Sequence, residues 1–346
     1  MKKILGNILK ILAIIFITIF SLNSLGTVLI KHNKLHFDTK PSTDTLYLPY
    51  NVNQGLLRYQ FRPNYKGREW GSLFTINRFG FRGSNFNLVK SPHTIRILCL
   101  GDSCTFGTGG LYDQETYPFR LEKLLNEKQN LKNFEVINAG MPGFSVYEGL
   151  VLLKHRNLMG LKPDIVIICY GWNDHMRKEM SDKLISHQRF VNNFLNDHSA
   201  CWKYLSYKWE NVSKKKLCTS KKQILRVNTS EYKRYLSNMI NLARSADSKV
   251  LVVTAPWEPR LIHDDIGWFK ESTRESFYLH PIYVNLTKEV CKKQGIKLVN
   301  LYSIFESKKT ANPSEFFNDP FHYNKNGAEL IASYLSKVIT ENTLQP

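Results

Sequence analysis

Apolar residues are arranged along the chain in three ways, and each predicts a different element. The first is one long run. After Met1, Lys2 and Lys3 an apolar stretch broken by Lys10 is densest over Ile11–Leu22 and continues more weakly to Ile30. Ile11–Ile30 has the length of a helix that crosses a bilayer. The second is a set of short, near-continuous runs that stop at turn residues: Ile95–Leu100, Phe134–Ile137, Asp164–Tyr170, Val250–Val253 and Ile296–Val299. The third is helical spacing over Tyr117–Leu125, Tyr147–Leu158, Glu231–Ser245, Tyr283–Gln294 and Asn326–Ile339. Apolar runs alternating with amphipathic helices predict a parallel sheet covered on both faces. The expected fold is α/β: a doubly wound parallel sheet of about five strands flanked by helices, preceded by an N-terminal hydrophobic helix.

Two segments interrupt that rhythm. Residues 35–90 are polar and turn-rich, with Pro41, Pro49 and Pro63, and read as a stalk or lead-in. Within them Asn77–Gly83 reads as a β-turn between aromatic packing residues. A basic insertion at about 175–228 separates the strand ending at Tyr170 from the helix near Glu231. It carries Lys214, Lys215, Lys216, Lys221 and Lys222 and has no clear strand character. The expected division is therefore 1–34, membrane anchor or signal peptide; 35–90, lead-in; and 91–346, the α/β domain with its insertion.

Charge and cysteine usage narrow the setting. Lys plus Arg is 48 against 29 for Asp plus Glu, a formal net charge of +19. That balance suits a membrane surface or an acidic glycan as neighbour, or else a solvated basic surface. The lysines ahead of the apolar run favour a cytoplasmic N-terminus, and the 20-residue length of Ile11–Ile30 suits an uncleaved anchor. Ser24 and Gly26 could instead flank a cleavage site, giving a secreted or periplasmic chain. Either route puts residues 35–346 outside the cytoplasm, so nucleic acid is not an expected partner. Six cysteines form no C-x-x-C, and the ten histidines show no ligand spacing, so neither a metal nor a cofactor is expected. Cys99 and Cys169 read as small buried hydrophobes. Cys201 and Cys218 are either a bridged pair holding the insertion or two free thiols.

In open parallel sheets, ligands bind beyond the carboxyl ends of the strands. Gly101-Asp102-Ser103 follows the first run, Asn138-Ala139-Gly140-Met141-Pro142-Gly143 the second and Gly171-Trp172-Asn173-Asp174 the third. Asp319-Pro320-Phe321-His322 precedes the last helix. Taken singly these are a cap, a tight turn, an Asx-turn and a helix start. Gathered on one rim they make a chemical unit. A serine hydroxyl becomes nucleophilic when an imidazole takes its proton, and the imidazole needs a carboxylate to hold its tautomer. Ser103, His322 and Asp319 supply those groups. The backbone N–H groups of Ser103 and Gly140 and the side-chain amide of Asn173 can supply donors for an oxyanion.

These four blocks, in this order, resemble the SGNH hydrolases of the GDSL esterase/lipase superfamily over about residues 92–343. The resemblance implies a flavodoxin-like architecture, Ser103 as nucleophile, His322 and Asp319 completing a triad, and Gly140 and Asn173 as oxyanion donors. It also implies hydrolysis of an O-acyl ester, with a carbohydrate or lipid bearing the acyl group. An O-acyltransferase modifying an extracytoplasmic glycan would use the same residues. A catalytically idle glycan- or membrane-binding protein is the third reading. Cys104 and the basic insertion lie outside the pattern of the blocks.

Overall fold

The computed structural model describes residues 2–32, 46–48, 56–69, 71–128, 133–206, 208, 223–262, 276–308 and 310–343. They form two compact units, one of residues 1–45, 49–58 and 184–222, the other of residues 46–48, 59–183 and 223–346. The first unit opens with α1 (Lys2–His32). Ile14, Phe16, Ile17, Ile19, Phe20 and Val28 of this helix are all exposed. Among the described residues no helix is long and apolar enough to cross a membrane. Within the same unit the Ala200 N–H donates to Asn23 Oδ1 of α1. Cys201 carries a free thiol. Cys218 and the lysines Lys214–Lys216, Lys221 and Lys222 lie outside the described residues.

The second unit holds the sheet. Its strands are β1 (Thr94–Gly101), β2 (Asn133–Gly140), β3 (Ile165–Cys169), β4 (Lys249–Val253) and β5 (Lys297–Val299). All pairings are parallel, in the order β5-β4-β3-β1-β2. Leu98, Val166, Ile167 and Ile168 are fully buried, as strands covered on both faces require. The chain steps outward from β1 to β2 and then returns past β1 to β3. The gap between β1 and β3 is thus the point where strand order reverses, the place in such sheets where ligands settle. Gly101 pairs with both Gly140 and Cys169, so β1, β2 and β3 end level with one another.

Further helices among the described residues include α2 (Ser103–Phe106), α3 (Tyr117–Lys128), α4 (Val146–His155), α5 (Asp182–His198), α6 (Thr229–Arg244), α7 (His280–Gln294), α8 (Leu301–Ser307) and α9 (Lys325–Thr343). Right-handed crossovers put α4, α6 and α7 on one face and α3 with α9 on the other. Local chemistry sets their limits. Ser145 Oγ accepts the Glu148 N–H while the Glu148 carboxylate accepts the Ser145 N–H, a capping box that starts α4. Gly295, with φ of 63°, ends α7 in the left-handed conformation.

The lead-in departs from a stalk. Phe61 and Phe74 are buried against Phe106, at centroid distances of 5.0 and 5.4 Å. Arg82 is buried with them, its Nε on Asp113 Oδ1 and its Nη atoms on the carbonyls of Phe106, Gly107 and Leu111. Aromatic side chains with this much apolar area are stable only when covered, so the segment from Tyr59 packs into the α/β unit. The expected turn does form: Asn77 Oδ1 accepts the Phe79 and Phe81 N–H groups, and Gly80 has φ of 76°. The insertion is also more regular than its sequence suggests. Arg177–Lys178 pairs antiparallel with Ile224–Leu225, closing its root beside the end of β3, and α5 follows the first of these.

Candidate active site

β1 ends at Gly101, and Asp102 caps the single turn of α2 by accepting the Cys104 N–H at 2.9 Å. That cap turns the chain sharply, so Ser103 stands at the strand's carboxyl end. On the other side, Asp319 folds back on its own segment, Oδ1 accepting the Phe321 and His322 N–H groups at 3.0 and 2.7 Å. The same local turn brings Asp319 Oδ2 to His322 Nδ1 at 2.6 Å, and His322 Nε2 lies 2.9 Å from Ser103 Oγ. Burial by itself would raise the Asp319 pKa. The hydrogen bond and charge of His322, helped by the two backbone donors, outweigh it and hold the carboxyl below its usual range. The imidazole is thus oriented by a carboxylate on one nitrogen and faces a hydroxyl on the other, a geometry in which it can take a proton from Ser103.

Ser103, Asn173, Asp319 and His322 share one cleft of about 550 Å³, a size suited to a small ligand. Pro142, Trp172, Met176 and Phe321 supply its apolar wall. Trp172 is pinned there, its Nε1–H donating to the Pro256 carbonyl while its ring stacks on His280 at 3.8 Å. Asn173 Nδ2 donates to Asp102 Oδ2 at 3.1 Å, and its second amide hydrogen remains for a ligand. Asp174, from the same block, is buried behind the cleft. Its Oδ1 accepts the Val146 N–H at 2.9 Å, which ties the end of β3 to α4.

Gly140 is a correction. It does not line the cleft, and its N–H donates to Asn138 Oδ1 at 3.0 Å. Its lack of a side chain has a different cause: a Cβ there would lie 2.2 Å from the Phe106 backbone nitrogen, so glycine lets α2 sit directly on β2. Three residues further on, Gly143 turns with φ of 78° and does line the cleft. Cys104, next to the serine, faces the core. Its thiol is buried beside the Phe321 carbonyl and burial pushes its pKa well up, so it is no rival nucleophile.

Sequence reasoning also missed Arg226. It lies at the end of the basic insertion yet is buried, within reach of Asn173, Gly143, Glu148 and Asp182. Burial would lower its pKa, but Asp182 and Glu148 more than offset that and raise it above the ordinary arginine value. The only signal in the sequence was its place among residues that return to the rim after the insertion. Among the described residues no group of three or more His, Cys, Asp or Glu side chains could hold a metal ion.

Comparison with known proteins places this arrangement. The model of the GDSL-like lipase/acylhydrolase family matches residues 99–330. An acetylxylan esterase of Xylanibacter ruminicola is 21% identical over 256 residues, 71% of this chain and 43% of that protein, so the chain spans less than half the length of this curated relative. Among solved structures, a lipase/acylhydrolase from Enterococcus faecalis aligns with a TM-score of 0.48 at 19% identity, covering 72% of this chain and 96% of the other. An acetylxylan esterase from Geobacillus stearothermophilus aligns with a TM-score of 0.45 at 17% identity, covering 73% and 95%. The family match runs from within β1 into α9 and so takes in all four blocks at the strand ends: the chain belongs to the GDSL-like lipase/acylhydrolase family.

Proposed function

We propose that this chain is a serine esterase that removes an O-linked acyl group from a carbohydrate through an acyl-Ser103 intermediate. The observation that carries the reading is the continuous contact Asp319–His322–Ser103 at the rim of the sheet. In the first half-reaction His322 Nε2 takes the Ser103 proton as Oγ attacks the ester carbonyl. The resulting oxyanion is received by the Ser103 N–H and the free hydrogen of Asn173 Nδ2. The C–O bond to the alcohol then breaks, and His322 returns its proton to the leaving alcohol oxygen. In the second half a water gives its proton to His322 and attacks the acyl carbonyl, and the acid leaves as Ser103 recovers its hydrogen.

The carbohydrate assignment draws support from the acetylxylan esterase relative and from the aromatic wall of Trp172 and Phe321. We further propose that the site works outside the cytoplasm and that the exposed apolar side chains of α1 hold the chain at a membrane.

The test is hydrolysis of p-nitrophenyl acetate and of an acetylated xylo-oligosaccharide. The wild-type chain should release acetate from both, and Ser103→Ala should lower kcat by about 10³-fold or more. Unchanged turnover by purified Ser103→Ala would remove the reading. If acetate leaves the donor only when a sugar acceptor is added, the chain is a transferase.

A further inference from the structure

An amide side chain can donate to an oxyanion only if its nitrogen faces the substrate. An amide turned over would put its oxygen there, and that oxygen would repel the developing charge. Something must therefore hold Asn173 the right way round. On one side Asp102 Oδ2 accepts from Nδ2 at 3.1 Å. On the other, Asn173 Oδ1 accepts from Arg226 Nη1 at 3.2 Å. An acceptor and a donor on opposite ends of one amide define its orientation.

Arg226 is itself held on every side. Its Nε donates to both oxygens of Asp182 at 3.0 Å, and its Nη2 reaches Glu148 Oε2 at 3.0 Å and the Gly143 carbonyl at 2.7 Å. Its backbone is fixed too: the Arg226 N–H donates to the Met176 carbonyl, and its own carbonyl accepts the Asp182 N–H, both at 2.9 Å. Gly143, Met176 and Asn173 all line the cleft. Arg226 therefore fastens three residues of the cleft from behind without lining it, Asn173 and Gly143 through its guanidinium and Met176 through its backbone N–H.

We propose that Arg226 is a positioning residue that locks the Asn173 amide with its nitrogen toward the oxyanion, an inference that rests on the oxyanion role assigned to Asn173. The positive charge is matched by two carboxylates, so the shape of the fork does the work. Lysine keeps the charge but cannot hold Asp182, Glu148, Gly143 and Asn173 together from one rigid plane.

The experiment is a double-mutant cycle on p-nitrophenyl acetate hydrolysis, using Arg226→Lys, Asn173→Ala and the pair. Asn173→Ala should lower kcat by about 10²–10³-fold. Arg226→Lys should lower kcat by roughly tenfold or more and leave KM within a few-fold, because the contact matters in the transition state. In the Asn173→Ala background the same lysine substitution should cost little further, since no amide remains to be oriented. If Arg226→Lys costs the same factor in both backgrounds, the residue supports the fold and does not position Asn173. If Asn173→Ala itself spares kcat, the oxyanion role falls and this inference falls with it. Should the lysine variant fail to fold, Asp182→Asn replaces it. That change releases one side of the fork, and the same loss of effect in the Asn173→Ala background is expected. Equal losses in both backgrounds would overturn the inference.

Discussion

At residue scale Gly140, which ends β2, and Gly143, three residues on, separate by what a methyl group would strike. Gly140→Ala puts a Cβ 2.2 Å from the Phe106 nitrogen, in a backbone contact that has no side chain to yield. Overpacking of that kind costs typically about 1–3 kcal/mol. The expected result is a lower melting temperature, with the kcat of the folded fraction close to normal, measured by thermal unfolding beside an active-site titration. A stable Gly140→Ala with kcat down by about 10²-fold would restore its N–H as an oxyanion donor. This is also where legibility stopped. Ser103, Asn173, Asp319 and His322 stand out because their side chains are of types that acyl-transfer chemistry can use, set in short blocks just beyond a strand or just before the last helix. A glycine carries none, so the sequence Gly-Met-Pro-Gly does not say which of its two glycines meets the cleft. Arg226 was hidden for another reason. One arginine among 48 basic residues looks solvated until tertiary structure surrounds it with Asp182 and Glu148.

At the scale of elements, the strands were readable because both their faces are buried, and Ile95–Leu100 or Asp164–Tyr170 could be little else. α5 was not read from its pattern: Leu184, Val191 and Phe194 remain about half exposed, so its apolar positions mark no buried stripe. α7 supplies a prediction. His280, at its start, donates through Nε2 to the Ala255 carbonyl, and its Nδ1 lies 3.2 Å from His175 Nε2. Burial pushes the His280 pKa down to about 3 and lowers that of His175 well below the ordinary value. An unfolded histidine titrates near about 6.5. Between those values the unfolded chain holds a proton that the folded one does not, so folding loses stability as pH falls from about 6.5 toward 3. His280→Phe keeps a ring on Trp172 and cannot take up the proton. Its stability, by urea unfolding at several pH values, should fall less steeply than wild type across that window. Identical slopes would show that His280 takes up its proton equally in the folded and unfolded chains.

For the whole molecule, two features could draw it to a membrane, and salt separates them. A charge of +19 attracts anionic lipid, but that attraction is screened within about 3 Å at 1 M salt. The apolar side chains along α1 act through burial, which salt does not weaken. The expected outcome is that the full chain sediments with membranes and stays there through a 1 M NaCl wash, whereas a chain starting at residue 35 remains in the supernatant. Release of the full chain by the wash would assign the attachment to surface charge.

Ser103 and the imidazole it faces are 219 residues apart in the chain. Synthesis runs from the N-terminus, so the hydroxyl emerges long before the group proposed to activate it. Through that interval Ser103 is an ordinary alcohol, as unreactive as any other serine. The centre comes into being only when the segment around His322 docks beside the first strand. On the proposed mechanism, a chain cut short before His322 is silent toward esters however well its sheet has formed, and reactivity reports that synthesis has passed the segment that precedes the last helix.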